Sequence, residues 1–324
     1  MKVGVFPAGQ WILGVDGGGS RTRLRLWSGP EELFHGVGPA SNPSVLGHEA
    51  SLEVIGSLIE EALSQCPGKA PMAIGAGLAG VGPAERGLRA QMEQGLAERF
   101  ACPVGVWNDA EAALAGATMG SAGILLIGGT GSVALGFDGS ARVVQMGGWG
   151  RSLRDAGSAY ELFQRFAELL LLAQEEGESS FERGPRAELL IRLGISDARE
   201  LIPLFARGAR PREIEACGRI LFEAAEDEDL LALELLEECG EDLLALALRC
   251  EKALAQADPL PLFLHGGLIE RQGPVRTALE RRLSAQEESR LRVQDPIAGA
   301  EAGAVALQLD RLHETSLRAL RQTL

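Results

Sequence analysis

The chain has 324 residues, 46% of them hydrophobic, and a formal net charge of −14. That is enough apolar material for one large or two medium cores, and the acidic balance argues against nucleic acid or anionic membranes as partners. No apolar run reaches the roughly 18 residues that a membrane span needs.

The five cysteines, Cys66, Cys102, Cys217, Cys239 and Cys250, form no CxxC pair. They read as reduced thiols of a cytoplasmic protein, with neither a structural zinc nor an iron–sulfur cluster. Residues 1–15 hold one lysine and a short apolar run that Pro7 and Gln10 interrupt. A glycine loop follows at once, so we read no signal peptide there.

Apolar Trp11–Val15 predicts a strand, followed by a glycine loop and an alternating strand over Arg21–Trp27 whose Leu24 and Leu26 share a face. A third strand fits Leu33–Val37. Helical periodicity covers about His48–Gln65, Pro83–Arg99 and Asp109–Ala117, with buried strands at Met72–Gly77 and Val104–Trp107.

The second half opens in the same way. Gly123–Ile127 is a strand, a second glycine loop follows, and Val133–Phe137 and Val143–Met146 continue as strands. Helices then run from about Ser158 to Gln256, followed by a strand Leu260–His265, a helix Pro274–Ser284, a strand Leu291–Gln294 and a last helix from about Gly299 to Leu320. The repeated pattern predicts a duplicated α/β fold, two domains facing each other across a central cleft. Ligands of such sheets bind outside the carboxyl ends of the strands. We set the domains at residues 1–117 and 118–298, with the helix over about 299–324 packing back on the first.

Asp16-Gly17-Gly18-Gly19-Ser20-Arg21-Thr22 lies between two predicted strands. Glycines let backbone N–H groups approach a phosphate, Ser20 and Thr22 add hydroxyls, and Asp16 suits Mg²⁺. The bland reading is a hairpin turn with a solvated acid. The loop leads into a strand, whereas a P-loop or a dinucleotide fingerprint leads into a helix. Gly128-Gly129-Thr130-Gly131-Ser132 is its counterpart in the second half, and the pair is expected to clasp the phosphates of a nucleotide.

Asp109 ends a strand and starts a helix. A hydroxyl is a poor nucleophile, so a carboxylate there can serve to accept its proton. The competing use is a helix N-cap by Asn108 or Asp109. Gly266 and Gly267 follow a strand, where their N–H groups can meet the adenosine side of the nucleotide.

Further motifs carry a resemblance. Gly77-Leu78-Ala79-Gly80, Asn108-Asp109-Ala110, Gly129-Thr130-Gly131-Ser132, Gly147-Gly148-Trp149-Gly150 and His265-Gly266-Gly267 occur in order. Together with the first loop they resemble the BadF/BadG/BcrA/BcrD-type ATPases, in their N-acetylglucosamine kinase-like branch. The resemblance implies duplicated ribonuclease H-like domains of the actin-like ATPase kind, ATP and Mg²⁺ as cofactors, and a homodimer. It makes Asp109 the catalytic base and assigns Asn42, Thr130, Gly148, Trp149 and Asp155 to the sugar.

The motif Gly-Asp-Glu-Gly-Ser of that branch reads here Arg154-Asp155-Ala156-Gly157-Ser158. That departure points to a substrate other than plain N-acetylglucosamine, with Arg154 filling the space or pairing with an acidic group of the ligand. The expected activity is phosphoryl transfer from ATP to a hydroxyl of an amino sugar or related hexose. The alternatives are an ATPase that activates a dehydratase or reductase, and a non-catalytic regulator that binds sugar or ATP.

Overall fold

The computed structural model describes residues 11–66, 70–82, 85–177, 184–255 and 258–323, with side chains as far as residue 312. Residues 1–10, where the leader reading and the start of the first expected domain fall, and Pro83, the expected start of a helix, lie outside them.

Two units emerge. The first runs through Ala122, takes in Gly139–Ala141 and resumes at Asp295; the second comprises Gly123–Asp138 and Arg142–Gln294. The first holds β1 (Trp11–Gly17), β2 (Thr22–Ser28), β3 (Glu31–Gly38), α1 (Pro43–Leu46), α2 (His48–Gln65), β4 (Pro71–Leu78), α3 (Arg86–Phe100), β5 (Val104–Asn108) and α4 (Asp109–Thr118). In the second, β6 (Gly123–Gly128), β7 (Ser132–Phe137) and β8 (Val143–Gly147) lead to five helices, α5 (Ala159–Glu175), α6 (Gly184–Leu193), α7 (Leu201–Ala206), α8 (Pro211–Glu226) and α9 (Leu230–Leu254). There follow β9 (Leu260–His265), α10 (Pro274–Ser284) and β10 (Leu291–Gln294), before α11 (Ala300–Thr323) returns to the first unit.

The sheets are ordered β3-β2-β1-β4-β5 and β10-β9-β6-β7-β8. Read from opposite ends, these are the same order. In each, a hairpin of two antiparallel pairs is extended by two parallel strands. Because β1 is covered on both faces, its residues are apolar almost throughout, while β2 alternates Leu24 and Leu26 with Arg23 and Arg25. The second strand begins one residue later than expected, since Arg21 closes the turn by accepting from the N–H of Gly18 at 3.0 Å. Helix α1 was not expected, although Asn42 before Pro43 is a sound start signal.

One face of the first sheet packs Leu13, Val15, Leu24 and Leu26 against Ile55 and Ile59 of α2 and Met92 and Leu96 of α3. Burying each such side chain contributes about 1.5–3 kcal/mol. The other face meets α4 and α11 at backbone distance. A Cβ on Gly14 or Gly75 would collide with the carbonyls of Glu301 and Ala304, and one on Gly303 with Ala112 O and Gly116 N of α4. The second unit is built on bulk instead: Phe163, Phe166 and Leu170 of α5 pack with Ile214 and Leu221 of α8 and Leu236 and Leu243 of α9. Among the described residues no helix is long and apolar enough to cross a membrane.

Candidate active site

In the first unit, register places the relevant groups at one edge. Asp16 pairs with Gly77 of β4, and Gly77 with Trp107 of β5, so Asp16 and the start of α4 share the carboxyl ends of parallel strands. Asn108 caps α4, its side chain accepting from Ala110 N at 3.0 Å while Glu111 accepts from Asn108 N at 3.1 Å. The capping duty therefore falls on the neighbours of Asp109. Asp109 occupies the first helical position, where Oδ1 shares the Ala110 N–H at 3.0 Å.

Asp16 faces Arg23 across the β1–β2 hairpin, with Nη1 3.1 Å from Oδ2. Its pKa is raised, first by burial and then by the charges of Glu301 and Asp109, while Arg23 opposes the rise. Glu301, in the first turn of α11, is 3% exposed.

The glycine loop is tied at its base. Ala79 N donates to Gly17 O at 2.8 Å and Ser41 N to Gly18 O at 3.1 Å, while Gly19 and Ser20 stand exposed. Thr22 departs from its expected role. It is fully buried, its hydroxyl donates to Pro39 O at 2.6 Å, and Ser41 Oγ lies 2.7 Å away, so the hydroxyl fixes the loop base. Asn42 caps α1, accepting from Ser44 N at 2.9 Å, and its Oδ1 fills the space that a Cβ on Gly80 would need.

In the second unit, the ends of β6, β8 and β9 and the start of β7 share one edge. Gly129 O and Thr130 O accept from the first N–H groups of α5 at 2.9 and 3.4 Å, and Gly128 O accepts from Leu268 N at 3.0 Å. Gly148 N donates to Ser132 O at 2.9 Å. Ser132, like Thr22, is buried and spent on the scaffold, since its hydroxyl donates to Ala156 O at 2.7 Å.

Asp155 is 9% exposed and acts as an anchor. Its Oδ1 accepts from Gly150 N at 2.9 Å, and its Oδ2 lies 2.9 Å from where a Cβ on Gly131 would be. Burial raises its pKa, with a smaller push from Glu161 and opposition from the N–H groups of Gly150 and Trp149. Trp149 is 59% exposed. Gly266 N donates to Glu270 Oε2 at 3.3 Å, and Gly267 is exposed. The two glycine loops, Gly147–Gly150 and Asp155–Ser158 thus fall into two edge clusters, one in each unit.

The profile of the BadF/BadG/BcrA/BcrD ATPase family matches residues 13–306. The chain belongs to that family. It is 28% identical over 273 residues to the N-acetylmuramic acid/N-acetylglucosamine kinase of Clostridium acetobutylicum, covering 80% of this chain and 86% of that protein. It is 29% identical over 237 residues to the glucosamine kinase of Vibrio cholerae, covering 72% and 78%. A solved structure from Chromobacterium violaceum, assigned as an N-acetylglucosamine kinase, superposes with a TM-score of 0.75 at 31% identity, covering 94% of this chain and all (100%) of that one. The fold of this BadF/BadG/BcrA/BcrD family member is accordingly the duplicated actin-like ATPase fold.

In this family member Arg154 is partnered within the chain. Its Nε donates to Glu161 Oε1 at 2.9 Å, and Nη2 lies 3.8 Å from Asp242 Oδ2. Sequence reasoning missed Glu161, Arg23 and Glu301. Ser158-x-x-Glu161 is a capping signal that was there to be read. Arg23 follows from the hairpin register once it is known, whereas nothing in the sequence links Glu301 to Asp16.

Proposed function

We propose that this chain is an ATP-dependent sugar kinase, transferring the γ-phosphoryl group of ATP to a hydroxyl of N-acetylglucosamine or a related amino sugar. The observation that carries the reading is the position of Asp109 at the carboxyl edge of β5, with the helix-capping work done by Asn108 and Glu111. A carboxylate so placed accepts and orients the proton of a hydroxyl, a role worth about 10²–10⁴ in rate.

Gly19 and Ser20, exposed in the first turn, and Thr130 and Gly131 of the second loop supply backbone donors to phosphate. Thr22 and Ser132 hold those loops in shape from below. Asn42, Trp149 and the backbone of Gly148 serve the sugar, with Asp155 setting the course of the Gly147–Gly150 loop, and Gly266–Gly267 serve the adenosine end.

The donor set fits Mg²⁺ that arrives with ATP. The described residues contain no group of three or more potential ligands, and Mg²⁺ characteristically takes one or two carboxylates, several waters and substrate phosphates. Asp16 would hold it, and when bound it neutralises the charge of the phosphates.

The activator-ATPase reading finds no support in the cysteines. Cys217, Cys239 and Cys250 are buried in the α-helical core of the second unit. Burial pushes the thiols of Cys239 and Cys250 up to about 12 and that of Cys102 to about 11, far from thiolate ligands. We further read the protein as cytoplasmic and homodimeric, the latter to be checked by light scattering.

The deciding experiment is coupled ADP release with Mg·ATP against glucosamine, N-acetylglucosamine, N-acetylmannosamine, N-acetylmuramic acid and glucose. Turnover with one amino sugar well above the sugar-free rate is the expected result. ADP release that no sugar stimulates would sink the reading.

A further inference from the structure

The segment Arg154–Ser158 is fastened on several sides. Glu161 brackets it, Oε1 accepting from Arg154 Nε at 2.9 Å and Oε2 from Gly157 N at 2.7 Å. From α9, Cys239 Sγ donates to Gly157 O at 3.2 Å, and from β7 Ser132 holds Ala156 O.

The charges around it are equally committed. Arg165 places Nη1 2.8 Å from Glu238 and Nη2 2.6 Å from Asp242, with Glu161 at 3.6 Å. Arg154 is shared by Glu161 and Asp242. Arg151 donates to Ala209 O at 3.1 Å and lies over the Tyr160 ring at 5.7 Å. The carboxylates Asp155, Glu161, Glu238 and Asp242 outnumber these guanidinium groups; Arg154 and Arg165 are paired with carboxylates, while Arg151 is turned to a carbonyl and a ring.

We propose that this segment selects an uncharged or cationic amino sugar and rejects one that carries a carboxylate, with Glu161 and Asp242 as the residues that set the preference by withholding Arg154. The inference rests on the kinase reading above. An incoming carboxylate would meet like charge and find Arg154 and Arg165 already held by carboxylates, and an uncompensated charge taken out of water is heavily disfavoured. Hydroxyl, amide and ammonium groups of a neutral or cationic sugar meet acceptors instead.

The test is kcat/KM for glucosamine, N-acetylglucosamine and N-acetylmuramic acid in the full chain. The wild type is expected to use N-acetylmuramic acid at no more than about a tenth of the better of the other two, the scale of a like-charge penalty. Glu161→Gln keeps a carbonyl oxygen for the Gly157 N–H but takes the anion from Arg154. It raises the relative use of N-acetylmuramic acid by about threefold or more, as an altered rim charge does.

Asp242→Asn acts in the same direction from α9, so the inference stays testable where Glu161→Gln fails to fold. Arg154→Gln moves the preference the other way. The KM for ATP, measured alongside, stays put in all three variants, which a general loss of structure would not allow. A wild-type preference for N-acetylmuramic acid, or an unmoved ratio in both acid variants, overturns this inference and leaves the kinase standing. No turnover with any sugar overturns both.

Discussion

The two units share a strand order and a loop position but spend their charge differently. Each buries the first residue of its second hairpin strand and gives that hydroxyl to a loop carbonyl, Thr22 to Pro39 and Ser132 to Ala156. In the first unit, Asp16 is partly buried within reach of the charges of Glu301 and Asp109, and Arg23 is the guanidinium set against them. In the second, Arg154 and Arg165 lace Glu161, Glu238 and Asp242 together. Duplication kept the scaffold, and its halves took different work. An excess of carboxylate at a strand edge suits proton acceptance and cation binding, whereas a cross-linked network gives stiffness to the loops above it.

The comparison breaks most visibly at Asp109. Asp109→Asn is expected to lower kcat by about 100-fold or more, the contribution of a positioned general base. The ATP affinity and the melting temperature stay near wild type, because Asn108 and Glu111 cap α4 without it. Turnover that survives this change would mean that the acids of the first unit have no catalytic purpose.

The helical layers offer a second contrast, backbone contact in one unit and bulk in the other. A Cβ at position 303 would strike Ala112 O and Gly116 N, main-chain atoms with nowhere to go. Gly303→Ala should therefore cost about 1–3 kcal/mol, as overpacking does, and shift α4 enough to lower kcat as well. In α8 of the second unit, Gly218 has no atom within 4 Å of its would-be Cβ. There Gly218→Ala should stabilise by about 0.5–1 kcal/mol through helix propensity. Thermal melts of the two variants that move in the same direction would erase the distinction.

These contrasts mark where the sequence is legible. The duplicated sheet could be read because β1 and β6 are apolar runs ending in glycine loops, and burial on both faces demands that. The place of Asp109 could be read because a strand end followed by a helix start puts a carboxylate at the sheet's carboxyl edge, whereas a catalytic role for it came only with the family resemblance. Thr22 and Ser132 could not be assigned correctly. A hydroxyl beside a glycine loop serves a ligand or the loop equally well until its partners are seen. The same holds for Arg154, whose partners lie 7 residues away and on another helix. Side-chain polarity is written in the sequence; the direction in which it is spent is set by tertiary register.

Those paired hydroxyls allow a finer test of the division of labour. Ser132→Ala and Thr22→Val each remove one buried hydrogen bond and should each cost about 1 kcal/mol in thermal stability. Their kinetic effects should diverge. Loss at Ser132 frees Ala156 O and is expected to raise the KM for the sugar, while loss at Thr22 loosens the first glycine loop and raises the KM for ATP. Identical KM changes from the two variants would show that the duplicated hydroxyls do one job rather than two.

The smallest expected effect concerns Asp155, the anchor of the exposed Trp149 loop. Burial lifts its carboxyl above the ordinary value of 3.8. An acid raised by folding binds more protons folded than unfolded, so its contribution to stability is present at low pH and falls as pH climbs from 3.8 through the higher folded value. Asp155→Asn removes that titration while keeping a carbonyl oxygen for the Gly150 and Trp149 N–H groups. The variant should therefore gain stability on the wild type above that window and lose the gain below it, seen as melting temperatures that converge from neutral to acid pH. A constant offset at all pH values would instead mean that the ionised Asp155 is held without strain. The second unit would then hold a buried carboxylate with backbone N–H groups where the first holds Asp16 with a guanidinium.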